Sequence, residues 1–288
     1  MKILITGGAG FIGSHLAERL LEDGHKVSIV DNLSTGRQEN IESIKENGNF
    51  HYTIGSILNR SLMEKLMAGI DQVYHLAAAV GVKYVIENPL LSLKTNIVGT
   101  DNVLELANKH KAKVLITSTS EIYGKSDKVP FSEDDDRLLG STRISRWGYS
   151  DSKAIDEFMA LAYFREKRLP VVIVRCFNTV GPRQTGQYGM VLPKFIKAAL
   201  LDQPLVVYGS GKQTRCFADV SDVVGAFIKL METPECQGEI FNVGTTESIS
   251  IEDLAKKVKT MCDSKSRIDY MSYEDAFEEG FEDMMNRM

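Results

Sequence analysis

The chain has 288 residues, enough for one large domain or a domain with a smaller partner. It is 43% hydrophobic and 25% charged, as soluble globular proteins are, and its net charge of −5 argues against a general electrostatic affinity for nucleic acid or an anionic membrane. The four cysteines (Cys176, Cys216, Cys236, Cys262) are too scattered for a disulfide framework or a metal site, so free thiols and no metal are expected.

MKILITGGAG starts directly on a strand pattern, so no signal peptide is expected, and no apolar run reaches transmembrane length. The expectation is a soluble, cytoplasmic protein with neither nucleic-acid nor membrane partners. Apolar runs then alternate with helical periods. Strands are expected at 2–6, 26–31, 51–56, 71–77, 113–119 and 170–177, with helices at 11–24, 90–110 and 149–167. Short apolar strands separated by helices imply a doubly wound parallel α/β sheet. After about residue 178 the segments shorten. The stretches 190–201, 204–209, 221–232, 239–244, 251–262 and 267–272 read as a smaller C-terminal substrate-binding lobe, dividing the chain into 1–178 and mainly 179–288.

The first strand runs into GGAGFIG and then into a helix. Gly7 allows a tight turn, Gly10 lets a pyrophosphate approach the backbone, and Gly13 lets helix and strand pack closely. The second strand ends in Asp31, about twenty residues past the loop, as a Rossmann dinucleotide site requires. A carboxylate there accepts hydrogen bonds from the adenosine ribose and repels a 2′-phosphate, so the expected cofactor is NAD rather than NADP.

Three Tyr/Lys pairs have a spacing of four: Tyr149/Lys153, Tyr163/Lys167 and Tyr208/Lys212. Position separates them. The fifth strand delivers Ser118, Thr119, Ser120 and Glu121 to the sheet's C-terminal edge, where ligands bind, and Tyr149 opens the next helix at that edge. Tyr163 lies about 21 Å farther along that helix. Tyr208 and Lys212 flank the glycine turn Gly209–Gly211. Tyr149 and Lys153 are therefore the expected proton-handling pair, with the lysine ammonium lowering the tyrosine pKa and Thr119 holding a sugar hydroxyl.

The motifs GGAGFIG, Asp31, HLAA (75–78), STSEIYG (118–124), YSDSK (149–153), FNTVGPR (177–183) and QTRCFADVSD (213–222) together resemble the extended short-chain dehydrogenases that modify nucleotide sugars. The resemblance covers nearly the whole chain. It implies a bound NAD that is reduced and reoxidised in each cycle, and a UDP-sugar substrate oxidised at C4. The further NAD contacts it implies are Phe11 and Ile12 in the loop, then Asn32, Ser34, Thr35 and Gly36 after the second strand. Ser56 and Ile57, Leu76, Ala77 and Ala78, and Asn96 complete that set, alongside Tyr149 and Lys153. Ser56 departs from the pattern, which places an Asp against adenine.

For the substrate, the resemblance implies Asn178 and Arg215 at the diphosphate and Val191 and Lys194 at the base, with Arg183 and Tyr208 nearby. Tyr84, Ser120, Glu121 and Arg287 would face the sugar. The triplet Thr119-Ser120-Glu121, the RWGYSDSK context after EDDDRLLGSTRIS, and the tail FEEGFEDMMNR resemble the uronate-decarboxylase branch. The segment before Tyr84, Val80 to Lys83, departs from it. UDP-glucuronate decarboxylation is the leading expectation, and a UDP-glucose or UDP-glucuronate 4-epimerase is the alternative. A 4,6-dehydratase, in which Glu121 is the elimination acid, and a non-catalytic NAD-binding regulator rank below them. Helices 90–110 and 149–167 look apolar on more than one face, and relatives pair such helices, so a homodimer is expected.

Overall fold

A computed structural model describes residues 1–187, 190–276 and 284–288. Its strands are β1 (Lys2–Thr6), β2 (Lys26–Asp31), β3 (Phe50–Ile54), β4 (Gln72–His75), β5 (Lys113–Thr119), β6 (Val171–Cys176), β7 (Asn178–Val180), β8 (Leu205–Tyr208), β9 (Thr214–Asp219), β10 (Ile240–Val243), β11 (Ser248–Ser250), β12 (Ile268–Met271) and β13 (Asn286–Arg287). Its helices are α1 (Phe11–Glu22), α2 (Arg60–Met67), α3 (Val82–Glu87), α4 (Pro89–His110), α5 (Trp147–Lys167), α6 (Val191–Leu200), α7 (Val220–Glu232), α8 (Ile251–Met261) and α9 (Tyr273–Ala276).

Seven parallel strands form the central sheet in the order β10-β6-β5-β4-β1-β2-β3. Alternation along each strand sends side chains to opposite faces. Ile3 and Ile5, with Val172 and Val174, join the core under α1 and α7. Leu4, with Val171 and Ile173, joins the core under α2, α4 and α5. Both faces are covered, which is why the strands read as continuous apolar runs. Pro89 starts α4 at a position that needs no amide hydrogen bond, and Lys111, in the left-handed region, ends it.

Two segments expected in the smaller lobe return to the sheet. β10 pairs with β6, Ile240 opposite Ile173 and Val243 opposite Cys176, so the sheet has seven strands rather than six. α7 buries Val220, Val223, Val224, Phe227 and Met231 in the core shared with α1. The pattern of EIFNVG misled because β10 is an edge strand and only half-buried. α2 was not expected at all; it is eight residues long, capped by the Asn59 side chain, and buries Met63 and Met67. The rest of the lobe has its own core, with Phe195 of α6, Leu205 and Val207 of β8, and Leu254 and Val258 of α8. β9 carries β7, β11 and β13 as neighbours, and β13 sets Arg287 opposite Arg215.

Because α7 sits in the main core, the chain should unfold as one unit. Phe227 is fully buried. Phe227→Ala should cost about 3–5 kcal/mol in guanidinium unfolding, with a single transition retained. A loss below about 1 kcal/mol would contradict this packing.

Candidate active site

A cavity of about 740 Å³ opens at the C-terminal edge of the sheet and continues into the smaller lobe. One end is the glycine loop. Gly7 has φ +72°, and a Cβ there would lie 2.8 Å from the Ala77 amide nitrogen. A Cβ on Gly13 would lie 2.2 Å from the Gly7 carbonyl. Gly10 caps α1, so the first amides of that helix open on the cavity beside Phe11 and Ile12. Asp31 accepts hydrogen bonds from the amides of Leu33 (2.8 Å) and Ala9 (3.0 Å). Burial raises its carboxyl above the usual range, and those amides only partly oppose the shift. Each oxygen keeps lone-pair capacity for a ribose hydroxyl. Asn32, Ser34, Thr35, Ser56, Ile57, Leu76, Ala77 and Ala78 also line this end.

Two expected cofactor contacts are displaced. Gly36 packs against the Asp31 carboxylate, where a Cβ would lie 2.8 Å from Asp31 Oδ2, and is not among the residues lining the cavity. Asn96 is buried behind the wall. Its Oδ1 accepts from the Ala79 amide at 2.8 Å, and its Nδ2 donates to Ser152 Oγ at 2.9 Å. It ties the loop after β4 to α5. The remaining residues fit a dinucleotide: a cradle with no room for a Cβ, a helix N-terminus and a strand-end acid.

At the middle of the cavity stand Thr119 at the end of β5, Tyr149 in the first turn of α5, and Lys153 one turn on. The Thr119 hydroxyl stands close enough to the Tyr149 phenol to favour its ionised form. Tyr163 packs against the core under α2 and α4, away from the site. Tyr208 lines the far end. The expected lowering of the Tyr149 pKa is not found in the protein alone. Burial pushes the phenol well above the usual tyrosine range, and Glu121 and Cys176 add to the rise, while Arg287 and Thr119 oppose it. The lysine is otherwise engaged: Lys153 Nζ donates to Asp156 Oδ2 at 2.7 Å, both side chains being buried.

Glu121 follows β5 in a 3-10 turn, and its amide donates to Thr119 Oγ1 at 3.2 Å. Burial raises its pKa, but Arg287, Arg146 and Arg215 outweigh burial and hold the carboxyl below the usual range. Arg287 Nη1 lies 3.4 Å and Arg146 Nη2 3.9 Å from its oxygens. Ser120 is fully buried and outside the cavity; its hydroxyl accepts from Arg287 Nη2 at 2.9 Å. It supports the arginine rather than facing a sugar.

In the smaller lobe, Val191, Lys194, Tyr208 and Arg215 line the wall, and Tyr84 of α3 and Asn178 of β7 line the same cavity. Asn178 Nδ2 donates to the Cys216 carbonyl at 2.8 Å. Arg215 Nη1 donates to the carbonyls of Thr214 (2.8 Å) and Met285 (3.3 Å), linking β9 to the chain's last residues. The Lys194 ammonium lies 5.9 Å from the centre of the Tyr208 ring. Arg183 also lines the cavity. It donates to Ser14 Oγ at 3.1 Å and to Glu18 Oε1 at 2.6 Å, both on α1, so it braces the glycine-loop end. Residues 277–283 of the tail motif lie outside the described residues.

Arg146 and Asp156 were missed. Each lies three residues from a member of the Tyr149/Lys153 pair, so helical spacing was the available signal. Among the described residues no group of His, Cys, Asp and Glu is placed to hold a metal, and no helix is long and apolar enough to cross a membrane.

Comparison with known proteins agrees with this geometry. The chain is 46% identical over 287 residues to the UDP-N-acetyl-alpha-D-glucosaminuronate decarboxylase of Bacillus cytotoxicus, covering 99% of this chain and 88% of that one. It is 39% identical to the UDP-glucuronic acid decarboxylase 1 of Xenopus tropicalis over 94% of this chain, and it spans 62% of the length of that relative. The UDP-glucuronic acid 4-epimerase of Bacillus cereus, solved with UDP-glucuronic acid and NAD, superposes with a TM-score of 0.86 at 33% identity, over 94% of this chain and 86% of that one. Residues 3–244 match the NAD dependent epimerase/dehydratase family. The chain belongs to that family, with NAD as its cofactor.

Proposed function

We infer that the protein is a UDP-hexuronate decarboxylase, with UDP-glucuronate as the first substrate to test. The observation that carries this reading is Glu121 beside Tyr149 under Arg146, Arg215 and Arg287. Such a cluster suits a substrate that brings its own carboxylate, because three guanidinium groups around one carboxylate leave a net positive charge there. The named relatives at 46% and 39% identity support the same reaction. The first of those names makes the 2-acetamido uronate the second substrate to test.

Tyr149, as phenolate, takes the proton of the C4 hydroxyl while Thr119 holds that hydroxyl by a hydrogen bond. NAD held by the glycine loop and Asp31 would supply the redox chemistry at C4, as hydride acceptor and then donor. The C4 ketone makes the C6 carboxylate a β-keto acid, so the C5–C6 bond breaks, carbon dioxide leaves, and the electron pair moves into the C4 oxygen. Tyr149 and Thr119 hold that oxygen as charge builds on it. A proton drawn from solvent then adds to C5 in place of the lost carboxylate. Arg287, released from Glu121 by the incoming carboxylate, places the C6 group beside the site. Asn178 and Arg215 bind the diphosphate, and the α6 segment from Val191 with Lys194 and Tyr208 lines the base.

The outer faces of α4 and α5 expose Leu91, Val98, Ile155 and Phe158, the last at 67%. This supports a homodimer built on those helices. The free thiols support a reducing, cytoplasmic setting.

Three outcomes are expected. Nuclear magnetic resonance of the enzyme with UDP-glucuronate and catalytic NAD should show a UDP-pentose or UDP-4-keto-pentose and released carbon dioxide; UDP-galacturonate instead would assign the chain to the 4-epimerases. Tyr149→Phe should lower kcat by about 10²–10⁴-fold while NAD still binds by calorimetry; near-normal turnover would refute the assigned base. Sedimentation at micromolar concentration should give twice the monomer mass, shifting toward the monomer in Phe158→Glu; a monomeric wild-type protein would exclude this dimer.

A further inference from the structure

The catalytic lysine has a buried counter-ion that no motif announces. Lys153 and Asp156 form an ion pair at 2.7 Å, with side chains 2% and 0% exposed. The other acids nearby are occupied. Glu157, the next residue, is held by Arg175 of β6 through two bonds of 3.0 and 2.8 Å, and Glu121 is held by its arginines. His75 of β4 faces Lys153 but stays neutral, its pKa pushed down to about 3 by burial and by the lysine charge. Cys176 of β6 stays protonated, burial pushing its thiol up to about 12. Among the described residues, Asp156 alone is left to balance the ammonium.

Behind Asp156 runs a line of buried polar groups. The Ala77 amide donates to Thr6 Oγ1 at 3.2 Å, Thr6 Oγ1 meets His75 Nδ1 at 2.7 Å, and His75 Nε2 meets Thr100 Oγ1 at 3.0 Å. Burial pushes the Asp156 carboxyl above its ordinary range; the Lys153 ammonium and, more weakly, the nearby Thr100 hydroxyl oppose that rise, and Asp156 Oδ1 itself completes no hydrogen bond. With His75 neutral, donation can run one way along the line, from Thr6 to Nδ1 and from Nε2–H to Thr100, which leaves the Thr100 hydroxyl proton to point toward Asp156. The line begins at Ala77, where the glycine loop touches β4, and ends at the lysine.

We propose that Asp156 is a positioning residue for Lys153, anchored through Thr100, His75 and Thr6 to the cofactor cradle, and that it sets how strongly the ammonium acts on Tyr149. The proposal rests on Tyr149 and Lys153 being the proton-handling pair. The groups facing that pair are Glu121 and Cys176, Arg287 of β13, His75, and Glu157 with Arg175.

The test titrates Tyr149 in the NAD-bound enzyme without substrate, following the tyrosinate ultraviolet band of each variant against the same variant carrying Tyr149→Phe. Asp156→Asn keeps the shape and removes the charge. Tyr149 should then ionise at lower pH, by about one unit or more. In the pH profile of kcat/KM both limbs should move down. The acid limb moves because the uncompensated ammonium favours tyrosinate, and the basic limb because a buried ammonium without a counter-ion loses its proton sooner. Asp156→Glu should restore both limbs. An unmoved Tyr149 titration, or a rate lowered equally at every pH, would overturn the proposal. If the Asn variant does not fold, the pair is tested by melting. Lys153→Met strands the buried carboxylate, and adding Asp156→Asn should recover the lost stability; a double variant no more stable than Lys153→Met alone would overturn the proposal too. The titration needs no turnover, so an enzyme inactive on UDP-hexuronates would sink the decarboxylase reading and leave this test standing.

Discussion

The approach of the glycine loop to the loop after β4 is the constraint on which the rest depends. Gly7 and Ala77 meet backbone to backbone, with no space for a Cβ between them. They meet where the sheet reverses direction: from β1 the chain builds outward to β2 and β3, and from β4 to β5, β6 and β10. A crevice opens at such a reversal because the loops on its two sides diverge. The dinucleotide cradle lies on one wall of that crevice, and Thr119, Tyr149 and Lys153 on the other. Their separation is fixed by two strand spacings rather than by flexible loops.

Charge inside this frame is balanced locally. The neighbours Asp156 and Glu157 on α5 serve different partners, Lys153 toward the cavity and Arg175 toward β6. Arg175 also donates to the Tyr123 hydroxyl and the Glu133 carbonyl, which fixes the turn carrying Glu121 to the sheet. Removing one partner from such a pair leaves a buried charge uncompensated, whereas the intact pair contributes little net stability. The pairs therefore act mainly on geometry. They hold a lysine, an arginine and a turn in single positions around the reacting carbon.

The sheet was legible in the sequence because burial on both faces produces continuous apolar runs, and the glycine loop was legible because its backbone geometry tolerates few other residues. Tyr149 and Lys153 could be chosen from three equivalent pairs because strand ends place functional groups at one edge. Other features had no such signature. β10 and α7 return to the sheet from beyond the smaller lobe, and sequence order does not reveal a strand's neighbour. The bonds of Arg183 to Glu18, Asn96 to Ser152 and Ser120 to Arg287 join residues far apart in the chain, so no spacing announces them. Asp156 belongs to no motif, and only the packing of α5 in the fold makes it a buried acid.

The late arrival of β10 also shapes how the chain is made. β6 is complete at residue 176, yet its outer edge stays unpaired until residues 240–243 emerge. During synthesis at about 5–20 residues per second, a hydrophobic strand edge is open for several seconds. Until then it can template pairing with another chain. Only β7, α6, β8 and β9 of the smaller lobe lie between the two strands in sequence; α8, which completes the core of that lobe, follows β10, so the lobe finishes packing after the strand that closes the sheet has emerged. The nascent protein thus passes through a stage in which the cofactor cradle exists before the sheet that supports it is finished.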